Sequence, residues 1–464
     1  MKRMFLCILL TAIMTSLSVV ELMADDFVTV DSGQIVTKSF LGFGAEWDIY
    51  DYPANGITDA DFQVIANRVK ALKLPIVRVM MMTKFCYLGN GAYDWNSPAM
   101  VMLYKQLDFC QKEGITVLLT DWGGEQSLAW MKTPGLTGVG DPQYATVVAT
   151  YLDYLVNTRG YKCIKYFSHL NEPDLLLGDW STYKQSLSSV TAAIRQRGLA
   201  NKVAVTGPET SQGRSDSWLA NSSGQMSALL GAYDTHNYAL KSTVASGGME
   251  QVIRTNISQL KSDSSAASKP FFMSEIGMRD DNVPPVGNPH IGEVDYGIFM
   301  ADYGVQVARA GATSVLAWML EDNGHKGFYW GMWTDKKSGM TARPWASSWS
   351  LLSRYFPYSA TIYRVQQPNL IRMLVARVPR KSDLHSLDYS ICLVNRDSGA
   401  RTVNVNLAIA RAELRTFRHY VYSDSAVATD AAFPNLSVST DVYNTKGLIK
   451  IVCPPNSVTV LTTM

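Results

Sequence analysis

Between about residues 40 and 350 the chain alternates short apolar runs with segments of helical periodicity, and this alternation constrains the fold more than any other feature. Apolar and β-branched runs separated by helical segments predict βαβ units and a parallel sheet. Eight runs predict strands, at residues 41–46, 75–82, 115–122, 164–172, 203–208, 232–238, 270–275 and 314–319. Eight parallel strands with intervening helices are the number that closes a (β/α)8 barrel, or TIM barrel, of the α/β class.

Helical segments fill the gaps between these runs. In the first segment Phe62, Ile65, Val69 and Leu72 share one face, which is the spacing of an amphipathic helix. The predicted helices span residues 59–72, 99–114, 144–158, 182–197, 216–230, 249–261, 294–310 and 349–356. An open doubly wound sheet is the structural alternative. No Gly-x-Gly-x-x-Gly motif follows the first strand, so a dinucleotide-binding fold lacks support.

The pattern changes near residue 345, where short alternating strands replace the strand and helix pairs. These strands are predicted at residues 361–365, 370–378, 388–395, 402–408, 415–422, 448–452 and 457–462. Several short strands in series, separated by turn residues, predict an additional C-terminal antiparallel β-sandwich domain. The expected division is a signal peptide at 1–24, a strand at 25–39 that joins the sandwich, the catalytic barrel at 40–349 and the β-sandwich at 350–464.

The first 24 residues have the composition of a signal peptide. Lys2 and Arg3 precede an apolar stretch at residues 5–20, and Ala24 before Asp25 is a candidate cleavage point. The stretch is short for a bilayer span of about 20 apolar residues, which disfavours a membrane anchor. We therefore expect a secreted or periplasmic protein whose mature chain has no integral membrane segment.

Charge and cysteine content exclude several classes of partner. Lysine and arginine total 42 against 40 aspartates and glutamates, and no basic block occurs, which argues against nucleic acid. The five cysteines after residue 24 lack metal-ligand spacing, and the acidic residues show no EF-hand pattern. We expect no required metal ion and no cofactor. Cys392 and Cys453 fit a disulfide or two buried thiols equally well, and the oligomeric state stays open.

Two glutamates end predicted strands on opposite sides of the barrel. The fourth strand runs into Ser-His-Leu-Asn-Glu-Pro-Asp, which contains Glu172, and the seventh into Phe-Phe-Met-Ser-Glu-Ile-Gly, which contains Glu275. Active sites of these barrels lie at the C-terminal ends of the strands, and strands four and seven face each other across the mouth. Either glutamate alone could have a structural role, but their joint placement predicts a catalytic pair.

Cleavage of a glycosidic bond explains why such a pair is needed. The leaving oxygen requires a proton, and the oxocarbenium-like centre requires stabilisation, so one carboxyl must be protonated while its neighbour is ionised. Like-charge repulsion and partial burial raise the pKa of one member of a close pair. In a retaining mechanism the ionised carboxylate attacks the anomeric carbon, and water later releases the sugar.

These motifs make the chain resemble glycoside hydrolase clan A, whose members carry Asn-Glu after strand four and Glu at strand seven. The opening Gly42-Phe-Gly-Ala resembles the first strand of family 30 enzymes, and the ending Pro455-Asn-Ser-Val-Thr-Val-Leu resembles the last strand of their side β-domain. Families 39 and 5 share the same catalytic arrangement. The resemblance implies a retaining hydrolase of β-glycosidic bonds in a polysaccharide or oligosaccharide, with Glu172 as acid/base and Glu275 as nucleophile.

The resemblance also implies roles for four neighbouring residues. Asn171 would bond the sugar 2-hydroxyl, and Arg78 on strand two would contact the nucleophile and keep it ionised. At the end of strand six, His236-Asn-Tyr238 resembles a His-x-Tyr pattern of the clan that places the tyrosine near the nucleophile. A structural role is the alternative for each, and for His236 most of all.

Aromatic residues at the strand ends are candidates for contacts with sugar rings. By resemblance, Trp318 after strand eight would form the floor under the sugar at the scissile bond, and Trp122 after strand three would line the same mouth. Core packing is the alternative for both. Weaker candidates in the loops at the strand ends, without assigned roles, are Glu46, Trp47, Asp121, Glu125, Trp180, Glu321, Asp322, Trp330 and Trp333.

Three other functions fit the same barrel. A non-catalytic glycan-binding barrel would be marked by loss of one carboxylate, and both are present. A transglycosylase would use the same two residues with a sugar acceptor in place of water, and the sequence does not separate it from a hydrolase. An aldolase would require a Schiff-base lysine or a metal site at the strand ends, and neither is evident.

Overall fold

The computed structural model describes residues 25–124, 128–211, 215–280, 287–324, 327–380, 387–428 and 430–464, so the predicted signal peptide lies outside the described residues. The α/β class and the barrel are confirmed, since eight parallel strands close on themselves. The eight barrel strands, numbered first to eighth in chain order, are Gly42–Trp47, Ile76–Met81, Thr116–Asp121, Ile164–Ser168, Ala204–Thr210, Ala232–Ala239, Phe271–Met278 and Ser314–Ala317.

Burial explains why these strands stand out in the sequence. The second and seventh strands are buried along their whole length, and parallel strands covered on both faces read as continuous apolar runs. The fourth strand ends at Ser168, four residues before the predicted end at Glu172. The correction has a local cause, because Glu172 adopts a left-handed backbone conformation at the start of the short helix Pro173–Leu176.

The helices surround the barrel and lie close to their predicted positions. The α-helices are Asp59–Leu72, Pro98–Glu113, Tyr144–Asp153, Pro173–Leu176, Trp180–Gln196, Ser215–Gln225, Lys241–Ala245, Met249–Ser258, Val294–Ala310 and Trp345–Tyr355. Short turns of other helix types are Thr83–Phe85, Tyr154–Thr158, Gln259–Ser262, Ala266–Ser268 and Asp430–Ala432. A short hairpin joins Tyr87–Gly89 to Ala92–Tyr93. None of the described helices is long and apolar enough to cross a membrane.

Two sheets form the β-domain that accompanies the barrel. The larger, antiparallel sheet has seven strands, in the spatial order Val438–Asn444, Leu414–Tyr422, Ser457–Thr462, Leu387–Asn395, Ile371–Pro379, Ala360–Tyr363 and Ile35–Phe40. The smaller sheet has three, in the order Asp26–Thr29, Arg401–Asn406 and Leu448–Cys453. Both strands before the barrel therefore pair with strands that follow it. Cys392 and Cys453 are buried free thiols.

Two helices fill the space between the barrel and the β-domain. Ten of the eleven residues of Trp345–Tyr355 are buried, and this helix crosses the predicted division at residue 349. Its Trp349 donates a hydrogen bond to the carbonyl of Gly44 in the first strand over 3.0 Å. Tyr422 of the larger sheet donates to the carbonyl of Val294, at the start of helix Val294–Ala310, over the same distance. The two parts of the chain therefore share one packed interior.

The interior of the barrel differs between its two ends. At the N-terminal end Ile76, Ala232 and Phe272 form a small buried apolar cluster, and the ring of Tyr166 packs edge-on against Phe272 at 4.8 Å. At the C-terminal end the inward side chains are charged. Arg78, two residues after Ile76 on the second strand, is fully buried there.

Candidate active site

Glu172 stands at the C-terminal mouth of the barrel on a tight turn. Its φ of 41° is in the left-handed region, which a residue with a side chain rarely adopts. The turn is held by a hydrogen bond from its backbone N–H to the carbonyl of Glu209, over 3.1 Å. The side chain keeps 20% of its surface exposed, so it can reach a ligand in the mouth.

Glu275 lies opposite, on the seventh strand, and is 4% exposed. Arg78 donates from Nη1 to its Oε1 over 2.8 Å, and the Tyr238 hydroxyl donates to its Oε2 over 2.7 Å. A carboxylate that accepts hydrogen bonds on both oxygens is favoured in its ionised form. Burial raises the pKa of Glu275, and the charges of His236 and Arg78 oppose that shift. The hydrogen bonds from Arg78 and Tyr238 thus favour the ionised form of Glu275, while burial disfavours it and leaves its pKa above the ordinary value.

The two carboxyl groups are close together. One oxygen of Glu172, one oxygen of Glu275 and a ring nitrogen of His236 all lie within 4.8 Å of one another. Carboxyl groups about 5–5.5 Å apart are typical of retaining glycosidases, whereas inverting enzymes need about 6.5–9.5 Å. Within the described chain this is also the one group of three side chains with metal-ligating atoms at such spacing, and the expectation of no required metal stays a prediction.

Arg78 is the centre of the hydrogen-bond network. Besides Glu275, its Nη1 donates to Oε2 of Glu46 over 2.8 Å, and its Nη2 donates to Oδ1 of Asn171 over 2.7 Å. Its Nε donates to Oε1 of Glu209 over 2.9 Å. Burial would lower the pKa of Arg78, but the surrounding carboxylates raise it well above its ordinary value, so it stays charged. Because Asn171 accepts with its oxygen, its NH2 group is oriented to donate.

His236 joins the acid side of the site to the network. Its Nδ1 is 3.0 Å from Oε1 of Glu172 and 3.6 Å from Oε1 of Glu275, and its Nε2 is 3.6 Å from Oε1 of Glu209. Burial would lower its pKa, but these three carboxyl groups raise it to about 10. Tyr238, two residues later, is held as a donor because burial and Glu275 raise its pKa well above the ordinary value.

Two further carboxyl groups complete the buried cluster. Burial raises the pKa of Glu46 to about 8, with Arg78 opposing the shift and Glu275 adding to it. Burial also acts on Glu209, but Arg78 and His236 overcome it and lower the pKa of Glu209 to about 2. At neutral pH the cluster therefore contains one protonated glutamic acid, Glu46, and one firmly ionised glutamate, Glu209.

An aromatic series runs outward from Arg78, whose guanidinium faces the Trp122 ring at 5.6 Å. Trp318 and Trp122 lie nearly parallel with ring centres 6.0 Å apart, and Trp130 packs against Trp122 at 6.0 Å. Trp122 is 9% exposed, and its Nε1 is a buried donor without a partner among the described atoms. Trp130 is 37% exposed and is the one exposed tryptophan of the 11, all of which are described. Tyr50 flanks Trp130 at 5.6 Å.

All eight residues predicted for the site are brought together. Of the weaker loop candidates, two lie at the site and the other described ones do not. Glu46 joins the cluster, and Trp330 packs edge-on against Tyr238 at 5.7 Å. The others serve packing or local hydrogen bonds: Asp121 accepts from Tyr144, Trp47 donates to Tyr52, Trp180 packs on Trp218, Trp333 donates to Glu321 and Asp322 pairs with Arg343. Glu125 lies outside the described residues.

The sequence did not single out Glu209. It follows Gly207 and Pro208 at the end of the fifth strand, without a motif around it, and the predicted strand stopped at residue 208. Its position in the sequence could have indicated it, because an acidic residue at the C-terminal end of a barrel strand faces the mouth.

Comparison with known proteins gives one family match. The family described as cellulase (glycosyl hydrolase family 5) matches residues 44–333, which run from the first barrel strand to the loop after the eighth. No curated protein sequence matches the chain.

Solved structures share the fold at low sequence identity. The catalytic domain of GH30 xylanase C from Talaromyces cellulolyticus has a TM-score of 0.66 at 14% identity, covering 95% of this chain and 100% of that one. A glucosidase from Croceicoccus marinus has 0.67 at 10%, covering 95% and 99%. A GH39 β-xylosidase from Caulobacter crescentus has 0.63 at 14%, covering 94% and 99%. The coverage shows that barrel and β-domain recur together.

Proposed function

The chain belongs to the cellulase family, glycosyl hydrolase family 5, and from this premise we propose a retaining enzyme that cleaves β-glycosidic bonds of a polysaccharide or oligosaccharide. Glu172 is the acid/base and Glu275 the nucleophile. The resemblance to clan A glycosidases is confirmed, with family 5 among the families that the sequence left open. The observation that carries the proposal is the approach of Glu172 and Glu275 within 4.8 Å, with Glu275 held as an anion.

The first step follows from the two environments. Glu172 gives its proton to the glycosidic oxygen while an oxygen of Glu275 bonds to the anomeric carbon, and the bond from that carbon to the leaving oxygen breaks. Arg78 and Tyr238 bond to Glu275 before the reaction, so the nucleophile is already positioned. The NH2 group of Asn171 is placed to donate to a sugar hydroxyl, a bond that strengthens in the transition state.

The second step reverses the roles. Glu172, now ionised, takes a proton from water, whose oxygen bonds to the anomeric carbon as the ester bond to Glu275 breaks. Two inversions at one carbon give a product with retained configuration. The buried hydrogen-bond network keeps bulk water away from Glu275, so water approaches from the side of Glu172.

The aromatic series supports a substrate longer than one sugar. The ring of Trp122 faces the guanidinium of Arg78 at 5.6 Å and stacks on Trp318, whereas Trp130, on the other side of Trp122, offers an exposed ring. The loop that carries Trp130 is anchored, because Lys84 donates to the Trp130 carbonyl and the hydroxyls of Thr83 and Thr133 are 2.6 Å apart. A fixed, exposed indole is suited to stack on the apolar face of a second sugar ring.

We propose that the chain is exported through its first 24 residues. The support is the positively charged start, the apolar stretch and the small residue before Asp25. Expression of the full chain with N-terminal sequencing of the exported protein tests this, and we expect the mature protein to begin at Asp25. Recovery of the uncleaved chain from the cytoplasm alone would contradict export.

The mechanism is tested with the wild type and Glu275→Ala on a panel of aryl β-glycosides and plant or microbial polysaccharides. Proton NMR follows the anomeric signal of the first product. We expect the wild type to release sugar with retained configuration and the variant to be inactive, whereas the control Glu113→Ala, at the end of an outer helix, keeps wild-type activity. An inverted product would remove Glu275 as covalent nucleophile, and products longer than the substrate would indicate transglycosylation.

A further inference from the structure

His236 is enclosed by acidic groups on both sides of its ring. Nδ1 faces Glu172 and Glu275, at 3.0 Å and 3.6 Å, and Nε2 faces Glu209 at 3.6 Å. The imidazole itself is fully buried. A neutral imidazole carries one donor and one acceptor nitrogen, whereas an imidazolium carries two donors. Only the Nδ1 contact is short enough for a hydrogen bond, and Nε2 has no hydrogen-bond partner among the described atoms, so Glu209 acts on it through charge. With a carboxyl oxygen nearest to each nitrogen, the doubly protonated ring is the form that the surrounding charges favour.

Glu209 is the group that the mechanism does not otherwise use. It is fully buried, receives hydrogen bonds from Arg78 and accepts from the Thr120 hydroxyl at 3.2 Å. Its backbone N–H donates to Asp234 over 2.8 Å, which fixes the turn that carries it. Arg78 and Thr120 both donate to Oε1 of Glu209, and this is also the oxygen that faces His236.

The backbone gives a second, independent observation. Glu209 has a φ of 53°, and Glu172 has 41°, so both are non-glycine residues in the left-handed region. Such conformations cost on the order of 1–3 kcal/mol each and cluster at functional sites. The two turns are joined directly, since the N–H of Glu172 donates to the Glu209 carbonyl. The same pair of turns therefore places one carboxyl group on each side of His236.

We propose, on the basis of the function above, that Glu209 is a positioning residue that keeps His236 doubly protonated, so that the ring can only donate to Glu172. When Oε1 of Glu172 accepts from the imidazolium, the acid proton of Glu172 is held on its other oxygen. That is the oxygen left to face the leaving group. A neutral His236 could instead accept this proton at Nδ1 and withdraw it from the reaction.

Formal charges support this assignment throughout the cycle. Before the reaction Arg78 and His236 carry two positive charges, balanced by the anions Glu209 and Glu275. After the first step Glu275 is an uncharged ester and Glu172 has become the second anion. Glu46 is uncharged before the reaction, because its pKa is about 8. Among Arg78, His236, Glu172, Glu209 and Glu275 the formal charges sum to zero before and after the first step, which avoids a net charge on these five groups in a poorly solvated position.

The remaining titratable neighbours fit the same account. Asp234 lies beyond Glu209, and burial together with the charge of Glu209 raises its pKa to about 7. Tyr238 is kept as a neutral donor to Glu275. Glu209 is therefore the firmly ionised group on the Nε2 side of His236. Asp234, the other carboxyl group on that side, is neutral or charged according to pH.

The first experiment reads the protonation of His236 without using activity. ¹⁵N-histidine NMR of the full chain is recorded from pH 6 to 8.5 in the wild type, in Glu209→Gln and in Glu209→Asp, with His236→Gln to assign the signal among the six histidines. We expect both ring nitrogens protonated throughout in the wild type and in Glu209→Asp, and loss of one proton within this range in Glu209→Gln. A neutral His236 in the wild type, or an unchanged imidazolium in Glu209→Gln, overturns the proposal.

The second experiment separates acid catalysis from support of the nucleophile. Aryl glycosides with poor and with highly activated leaving groups are compared, because the latter need no proton. For Glu209→Gln we expect kcat/KM to fall at least about 10-fold on the substrate with the poor leaving group and to change little on the activated one. We also expect the pH profile of kcat/KM to show a fall at alkaline pH that Glu209→Asp lacks. Glu250→Gln, which loses a comparable contact to Arg309 outside the barrel, is the matched control.

Equal losses on both substrates without a new alkaline limb would overturn the proposal and show that Glu209 only supports Arg78. If the wild type cleaves no glycoside at all, the proposed function fails while the NMR titration still decides the role of Glu209. If Glu209→Gln does not fold, a neutral His236 in the wild type or in Glu209→Asp still overturns the proposal.

Discussion

At the N-terminal end of the barrel, Ile76 and Phe272 close the interior with buried apolar surface, whereas at the C-terminal end the same two strands present Arg78 and Glu275. The apolar end gains free energy from burial, at roughly 25 cal/mol per Å². The charged end loses solvation for every buried ion, and its ion pairs recover that loss only in part. The contrast shows that one strand contributes stability at its start and chemistry at its end.

Two of the eight described non-glycine residues with positive φ, Glu172 and Glu209, stand at the mouth, where their turns place carboxyl groups. We therefore expect substitutions at the mouth to change activity with little loss of stability, and substitutions at the opposite end to do the reverse. Four changes test this, in order of decreasing effect.

Glu172→Ala is expected to reduce kcat/KM for substrates with poor leaving groups by about 10²- to 10⁴-fold, since that is the contribution of general acid–base catalysis. Its free energy of unfolding should stay close to the wild-type value, because the side chain is partly exposed and alanine at this position makes no new contact. Steady-state kinetics and urea unfolding measure the two quantities. A large loss of stability would contradict the division between the two ends.

Phe272→Ala is the converse change. Removal of a fully buried phenylalanine ring should lower the free energy of unfolding by about 3–5 kcal/mol through lost burial and a cavity. The kcat of the protein that remains folded should match the wild type. Urea unfolding and kinetics at low temperature test this together, and a 10-fold fall in kcat would show that the two ends are coupled.

Glu46→Gln tests the buried acid at the mouth. In the folded chain the pKa of Glu46 is about 8, whereas the unfolded chain releases this proton near pH 4.5. Between those pH values the folded state binds more protons, so stability falls as pH rises, by up to about 1.4 kcal/mol per pH unit. Glutamine removes this slope. Unfolding free energies at pH 5 and pH 8 should therefore differ less in the variant, and equal differences would remove Glu46 as the source.

Trp130→Ala should have the smallest effect. If this ring stacks on a second sugar, its loss should raise KM for an oligosaccharide by about 2- to 12-fold, which corresponds to about 0.5–1.5 kcal/mol, and leave an aryl monoglycoside unchanged. Trp95→Ala, a partly buried tryptophan stacked on Tyr154, provides a comparison. An equal effect on both substrates would place Trp130 outside any second sugar site.

The barrel could be predicted from the sequence because its strands are buried on both faces, and seven of the eight end within three residues of the prediction. The strand Val438–Asn444 was missed since it lies at a sheet edge, with nearly all its residues exposed. Glu172 and Glu275 were found because each stands in a recognisable motif. Glu209 was not, because its role depends on contacts with Arg78 and His236, which are distant in the sequence and meet only in the closed barrel.

Helix Trp345–Tyr355, buried between the barrel and the β-domain, limits where this chain can be truncated. A catalytic unit that ends at residue 349 would expose Trp349 to water and leave the strand Ile35–Phe40 without its partner Ala360–Tyr363, while Tyr355 would be exposed on the other fragment. The β-domain is therefore part of the packing of the barrel and is not a separate module joined to it by a linker. Any shortened version should keep the strands Asp26–Thr29 and Ile35–Phe40 together with the β-domain strands that pair with them.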